Sequence, residues 1–126
     1  MKFILAIIRI AKMNETKQAL SDAGLPSFTA LGVHGRGQGR GLGPNYQQII
    51  SSPENKETLK QLGQEPRLKP KRMIQLVVPD DKKDIAVQTI LKVNQTGNSG
   101  DGKIYITEAL DAIRIRTFER GDIVLD

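Results

Sequence analysis

MIQLVVPDDKKDIAVQTILKV, residues Met73–Val93, decides the fold. Its first six residues are apolar apart from Gln75 and rich in β-branched side chains, which predicts a strand. Pro79-Asp80-Asp81 then supplies turn and helix-start chemistry. From Lys82 to Val93 the apolar spacing changes, and Ile85, Ala86, Thr89, Ile90 and Val93 share one helical face, as a helix packed on a sheet requires. Working outward, Gly97–Gly102 is a glycine-rich turn, Lys103–Thr107 a short strand, and Ala112–Ile115 a further apolar stretch predicted as strand. Toward the N-terminus, Met1–Ile10 is apolar on both sides, with Phe3, Leu5 and Ile7 against Ile4, Ala6 and Ile8, which predicts a strand central in its sheet. Met13–Ala23 reads as an amphipathic helix turning Met13, Ala19, Leu20 and Ala23 inward, with Gly24 as its C-cap. Ser27–His34, carrying Phe28, Thr29, Leu31 and Val33, is the second strand. The order β-α-β, long loop, β-α-β predicts an α+β, ferredoxin-like βαββαβ sandwich, its sheet covered by two helices on one face. At 126 residues the chain fits a single domain over 1–126.

Between the two halves lies a segment too long to be an idle connection, since compact domains rarely hold structureless loops above about 12 to 15 residues. Gly35–Arg72 carries eight basic residues (Arg36, Arg40, Lys56, Lys60, Arg67, Lys69, Lys71, Arg72) and three acidic ones (Glu54, Glu57, Glu65), while the rest of the chain balances eleven against eleven. The whole net charge of +5 therefore sits in this segment, which predicts an anionic partner for it. Ser52, Pro53, the Leu59 and Leu62 pair and Gly63 predict a short helix at 53–62 inside it.

Composition excludes several classes. There is no cysteine and one histidine, so disulfides, thiolate metal sites and histidine triads are not expected, and no metal ligands are assigned. The longest apolar run, Phe3–Ile8, is far short of a membrane span, and no cleavage site follows it, so a cytoplasmic protein without membrane insertion is expected.

Two places could carry chemistry. Gly97-Asn98-Ser99-Gly100-Asp101-Gly102-Lys103 matches the first part of a Walker phosphate loop, but Ile104 stands where a magnesium-binding hydroxyl is needed, and a strand follows in place of a helix. The local physics still favours an anion: a glycine turn with backbone N–H groups in its concavity, and Lys103 beside it. An ordinary glycine hairpin has the same composition. Arg114 and Arg116, two apart on a predicted strand, project from one face and are either a solvated sheet edge or, beside Lys103, a phosphate cradle. The Gly35–Gly41 run G-R-G-Q-G-R-G resembles RNA-binding segments, yet the loop holds one aromatic, Tyr46, and single-strand binders stack bases on aromatic platforms. A regulator that binds a phosphorylated ligand, a nucleic-acid module and a phosphoryl-transfer enzyme are the three classes in play. No motif positions a general base, so a non-enzyme with no nucleic-acid partner is expected.

Five motifs in order carry a resemblance over nearly the whole chain: A-I-I-R (Ala6–Arg9), G-x-G (Gly35, Gly37), V-V-P-D-D (Val77–Asp81), Q-T-G-x-x-G-D-G-K-I (Gln95–Ile104) and R-I-R-T (Arg114–Thr117). Together they resemble the PII signal-transduction family. The resemblance implies a trimer with an extended T-loop between the second and third strands, here about 36–72. It also implies ATP or ADP in clefts between subunits, with 2-oxoglutarate joining ATP and Mg2+ near the loop base. By motif, it implies nucleotide contacts from Thr29, Gly35, Gly37, Gln38, Val77, Gly100, Asp101, Gly102, Lys103, Arg114 and Arg116. For 2-oxoglutarate it implies Gln38, Gly39, Lys71, Ser99 and Gly100.

The chain departs from the usual family pattern after G-x-G, where Gln38-Gly39-Arg40-Gly41 replaces Arg-Gln-Lys-Gly, and its loop is longer. A lengthened, altered loop resembles the nitrogenase-regulating branch of archaea and anaerobic bacteria. That implies a homotrimer, or a hetero-oligomer with a sister PII-like subunit, that inhibits a nitrogenase component when 2-oxoglutarate falls. An ammonium transporter or glutamine synthetase is the alternative target.

Overall fold

A computed structural model describes residues 1–37 and 68–126, together with 48 and 51. Among these residues four strands form one antiparallel sheet in the order β2-β3-β1-β4. They are β1 (Lys2–Ile8), β2 (Thr29–Gly35), β3 (Lys69–Val78) and β4 (Lys103–Glu108), with helix α1 (Met13–Asp22) between β1 and β2 and helix α2 (Lys83–Asn94) between β3 and β4. The expected ferredoxin-like α+β architecture is what the chain adopts, with β1 central. Each β-α-β unit leaves a gap of one strand, and the other unit fills it.

Alternation along the central strands explains the layering. Ile4, Ala6 and Ile8 of β1 and Ile74, Leu76 and Val78 of β3 are buried, and Leu20, Leu25, Ala86 and Ile90 join them in the core beneath the helices. The intervening positions, Phe3, Leu5 and Ile7 with Met73, Gln75 and Val77, point to the side that no helix of the described residues covers and stay half-buried. Helix α1 ends as its sequence predicts. Gly24 takes φ +81°, its amide donates to Ser21 O, and the amide of buried Leu25 reaches back to Leu20 O at 2.8 Å.

Several expectations need correction. β3 begins at Lys69, four residues before Met73, so Lys69–Arg72 continue the ladder opposite Gly35–Gly32 and the connection between strands is shorter than 36–72. Ala112–Ile115 does not add a strand to the sheet. Ile113 makes an isolated bridge to Arg120, and the chain turns between them, so the argument placing Arg114 and Arg116 on one strand face fails. Asp80 is not a helix cap but pairs with the Met1 amino group at 2.9 Å. On α2 the buried line is Ala86, Ile90 and Asn94, while Ile85 is 47% exposed. Asn94 is tied to buried Thr16 of α1 at 3.0 Å, a polar bridge between helices that an apolar pattern cannot reveal. The helix expected at 53–62 lies outside the described residues.

Candidate functional site

Antiparallel register brings four chain segments to one end of the sheet. Ile8 lies opposite Arg72, Ile7 opposite both Met73 and Lys103, and Gly35 opposite Lys69. The long connection between β2 and β3 therefore leaves the sheet beside the glycine hairpin that enters β4.

The hairpin is pressed onto the end of β1. Gly97, Gly100 and Gly102 adopt φ of +85°, +96° and +105°. A Cβ on Gly102 would lie 1.8 Å from the Ile7 carbonyl oxygen, so only glycine permits this approach. Asp101 organises the turn from within. Its carboxylate accepts from the Thr96 amide at 2.8 Å, the Gly97 amide at 3.0 Å, the Thr96 hydroxyl and the guanidinium of Arg9. Burial by itself raises the Asp101 pKa, but the hydrogen bonds from Thr96, Arg9 and Gly97 outweigh it and hold the group well below the ordinary carboxylate range. Arg9 spends its second nitrogen on the Ser99 carbonyl at 2.9 Å. The hairpin amides are thus divided: Thr96 and Gly97 serve Asp101, and Asn98 reaches the Thr96 hydroxyl at 3.2 Å. Among the described residues, the amides of Ser99 and Gly100 have no acceptor, while Ser99 and Gly100 form the turn that leads into Asp101.

Lys71, from the start of β3, donates to the Gly100 carbonyl at 3.0 Å. Burial lowers its pKa, the positive charges of Arg9 and Lys69 lower it further, and Asp101 opposes them in part. A turn with open amides, Lys71 and Arg9 within 4 Å of the Gly100 Cβ position, and Lys103 one residue past the hairpin form a concentration of positive charge. Such an end of a sheet favours an anion with several oxygens.

Of the residues singled out in the sequence, Lys71, Ser99, Gly100, Asp101, Gly102 and Lys103 come together here, whereas Gly35 and Gly37 lie toward the same end of the sheet at the close of β2, the opposite edge strand. Gln38 and Gly39 lie outside the described residues. The others are elsewhere in the chain. Thr29 is on the opposite edge strand from Lys103, and Val77 stands three residues short of Asp80 toward the far end of the sheet. The segment carrying Arg114 and Arg116 follows Glu108, which pairs with Lys2 at that far end. There Arg114 donates to Glu119 at 2.7 Å and lies 3.9 Å from Asp126, whose carboxylate is near Ser27. Within one chain, Arg114 is thus held at the end of the sheet opposite the hairpin. Arg9 was not assigned a role from sequence, although A-I-I-R contains it; an arginine directly after a central apolar strand was the available signal.

Among the described residues no helix is long and apolar enough to cross a membrane, and no cluster of His, Cys, Asp and Glu could hold a metal.

A family model described as nitrogen regulatory protein P-II matches residues 1–119. The nitrogen fixation nifHD region GlnB-like protein 2 of Methanobacterium ivanovii is 43% identical over 122 residues, covering 97% of each chain. Its namesake in Methanococcus maripaludis is 42% identical over 125 residues, 99% of this chain and 100% of the relative. Nitrogen regulatory protein P-II 1 of Escherichia coli is 34% identical over 125 residues, again 99% and 100%.

Proposed function

The chain belongs to the nitrogen regulatory P-II family, and from that premise we propose that it senses ATP or ADP and 2-oxoglutarate and inhibits nitrogenase through the long connection between β2 and β3. It is a PII-like nitrogen regulator, and proteins of this family are signalling regulators. The observation that carries the finer reading is the junction of hairpin and loop base: Lys71 reaches the hairpin at Gly100 from the strand in which the basic connection ends.

The residues present fit a polyphosphate. Open amides at Ser99 and Gly100, a left-handed glycine turn and Lys103 offer donors and charge without side-chain bulk. ATP, with magnesium shielding its charge, supplies the anion; the chain orients it, and no bond is made or broken. A small dicarboxylate such as 2-oxoglutarate would find a cation in Lys71 once that amine leaves the Gly100 carbonyl. Because Lys71 is the third residue of β3, its choice of partner would reach the loop directly. Thr29, Val77, Arg114 and Arg116 can join Lys103 around one nucleotide only from a neighbouring subunit, so this reading requires an oligomer, taken here as a trimer of identical or sister subunits. The segment Gly35–Arg72, which runs from the end of β2 into β3 and carries the chain's entire net positive charge, would speed docking on an acidic target and make it sensitive to salt.

Calorimetry with MgATP, with and without 2-oxoglutarate, tests the sensing. Micromolar ATP binding is expected, tightened by 2-oxoglutarate; no ATP binding overturns the reading. A pull-down with the Leu42–Lys69 segment deleted tests the output against the nitrogenase components, an ammonium transporter and glutamine synthetase. Capture of nitrogenase by the full chain and not by the deletion is expected.

A further inference from the structure

We propose that Arg9 and Asp101 are positioning residues, a clamp that shapes the hairpin for its anion without touching it. The inference deepens the nucleotide reading above and rests on it. It reassigns Asp101, which the family motif places among the ligand contacts.

The geometry leaves Asp101 no free edge. One carboxylate oxygen accepts from the Thr96 and Gly97 amides at 2.8 and 3.0 Å, and the other takes the Thr96 hydroxyl and Arg9 Nη1. Arg9 is equally committed. Its fork spans the hairpin, with Nη1 on Asp101 and Nη2 on the Ser99 carbonyl at 2.9 Å, so one planar group fixes both limbs of the turn. Arg9 directly follows β1, and the neighbouring contact of Gly102 with the Ile7 carbonyl leaves no slack on the other side. The clamp therefore ties the hairpin to the central strand, and the amides of Ser99 and Gly100 are held in place before any ligand arrives. A carboxylate among cations would also repel a polyphosphate if it faced outward. Turned inward, it neutralises Arg9 and consumes the amides on the wrong side of the turn.

The two roles predict opposite signs. Were Asp101 beside the ligand, Asp101→Asn would remove a repulsive charge and tighten ATP. As a positioning residue, its loss weakens ATP on the order of tenfold, the scale of one charge-assisted hydrogen bond. Arg9→Lys separates geometry from charge: it keeps the charge but not the fork, and the same weakening is expected. In the absence of ligand, amide exchange at Thr96 and Gly97 speeds up in Asp101→Asn while core amides of β1 and β3 stay protected. Thr96→Val, which removes one of the carboxylate's partners, provides a milder variant should Asp101→Asn fail to fold. Unchanged or tighter ATP binding in Asp101→Asn, or in Thr96→Val if that is the variant that folds, overturns the proposal; so does full retention of affinity in Arg9→Lys. These outcomes are read against a wild type that binds ATP and a Lys103→Ala variant that binds it about tenfold more weakly or worse. Failure of the wild type to bind ATP overturns the nucleotide reading and this inference with it, while the exchange measurement reports on the clamp separately.

Discussion

Lys71 sits where the ligand reading meets a titration. Its pKa lies below the ordinary 10.5 because burial and the charges of Arg9 and Lys69 disfavour the ammonium form. The unfolded chain therefore binds this proton more tightly than the folded one, and folding stability rises with pH between the lowered value and the ordinary one. Below that window the charged amine is a standing cost that a carboxylate would relieve. Affinity for 2-oxoglutarate should thus fall as pH rises through the lowered Lys71 pKa, at a less alkaline point than an unperturbed lysine would give, in titrations followed by calorimetry. Lys71→Gln should lose 2-oxoglutarate while keeping ATP. Lys103 and Arg116 are expected to hold the nucleotide itself: each changed to alanine should weaken ATP by tenfold or more, the loss of one charged hydrogen bond, and intact binding in both variants would remove the site. Asp101 is shifted in the same direction as Lys71, so stability again rises with pH, but here the charged form is the favoured one. Its lowered pKa means that its contribution is fully present above the unfolded value of about 3.9 and disappears only as the pH falls through its folded value.

At the scale of elements, two glycines with similar dihedrals separate conformational strain from contact. Gly24 at φ +81° faces open space, so Gly24→Ala costs the left-handed backbone penalty of about 1 kcal/mol. Gly102 at φ +105° faces the Ile7 carbonyl, and Gly102→Ala must displace the hairpin from β1. Urea unfolding should show a modest shift for Gly24→Ala and a much larger one for Gly102→Ala, with ATP binding lost in the second alone. The same contrast shows what was readable beforehand. Gly24 before Pro26 signals a helix end through local chemistry alone, as do the alternating apolar runs of β1 and β3. Gly102 reads as one more turn residue, because its partner is backbone 95 positions away and leaves no trace in side-chain pattern. The role of Arg9 was hidden for the same reason, since it depends on register that pairs Ile7 with Lys103, and its place directly after a central apolar strand was the one local signal. Ala112–Ile115 has strand composition, but edge residues need a partner strand to become sheet, and within one chain Arg120 provides a single bridge.

At the scale of the whole molecule, among the described residues one sheet face has helices and the other has none. Phe3, Leu5, Ile7, Met73 and Val77 line the uncovered side, flanked by Leu31 at 45% and Tyr105 at 53% exposure on the two edge strands. A contiguous apolar sheet face of this kind is unfavourable in water, and a protein with closed symmetry covers it with copies of itself. The far-end segment adds to the pressure, with Ile115 92% and Phe118 82% exposed. This surface and the proposed ligand site are linked by topology, because Thr29 and Lys103 occupy opposite edges of one sheet and can face the same nucleotide only across two subunits. Leu31→Glu places a charge on that face without touching the hairpin clamp or Lys103. Light scattering after size-exclusion chromatography should show a monomer in place of a trimer, circular dichroism should show the fold retained, and calorimetry should show ATP binding lost together with assembly. A Leu31→Glu chain that remains trimeric puts the interface elsewhere, and a monomer that still binds ATP at full affinity means that one subunit completes the site alone.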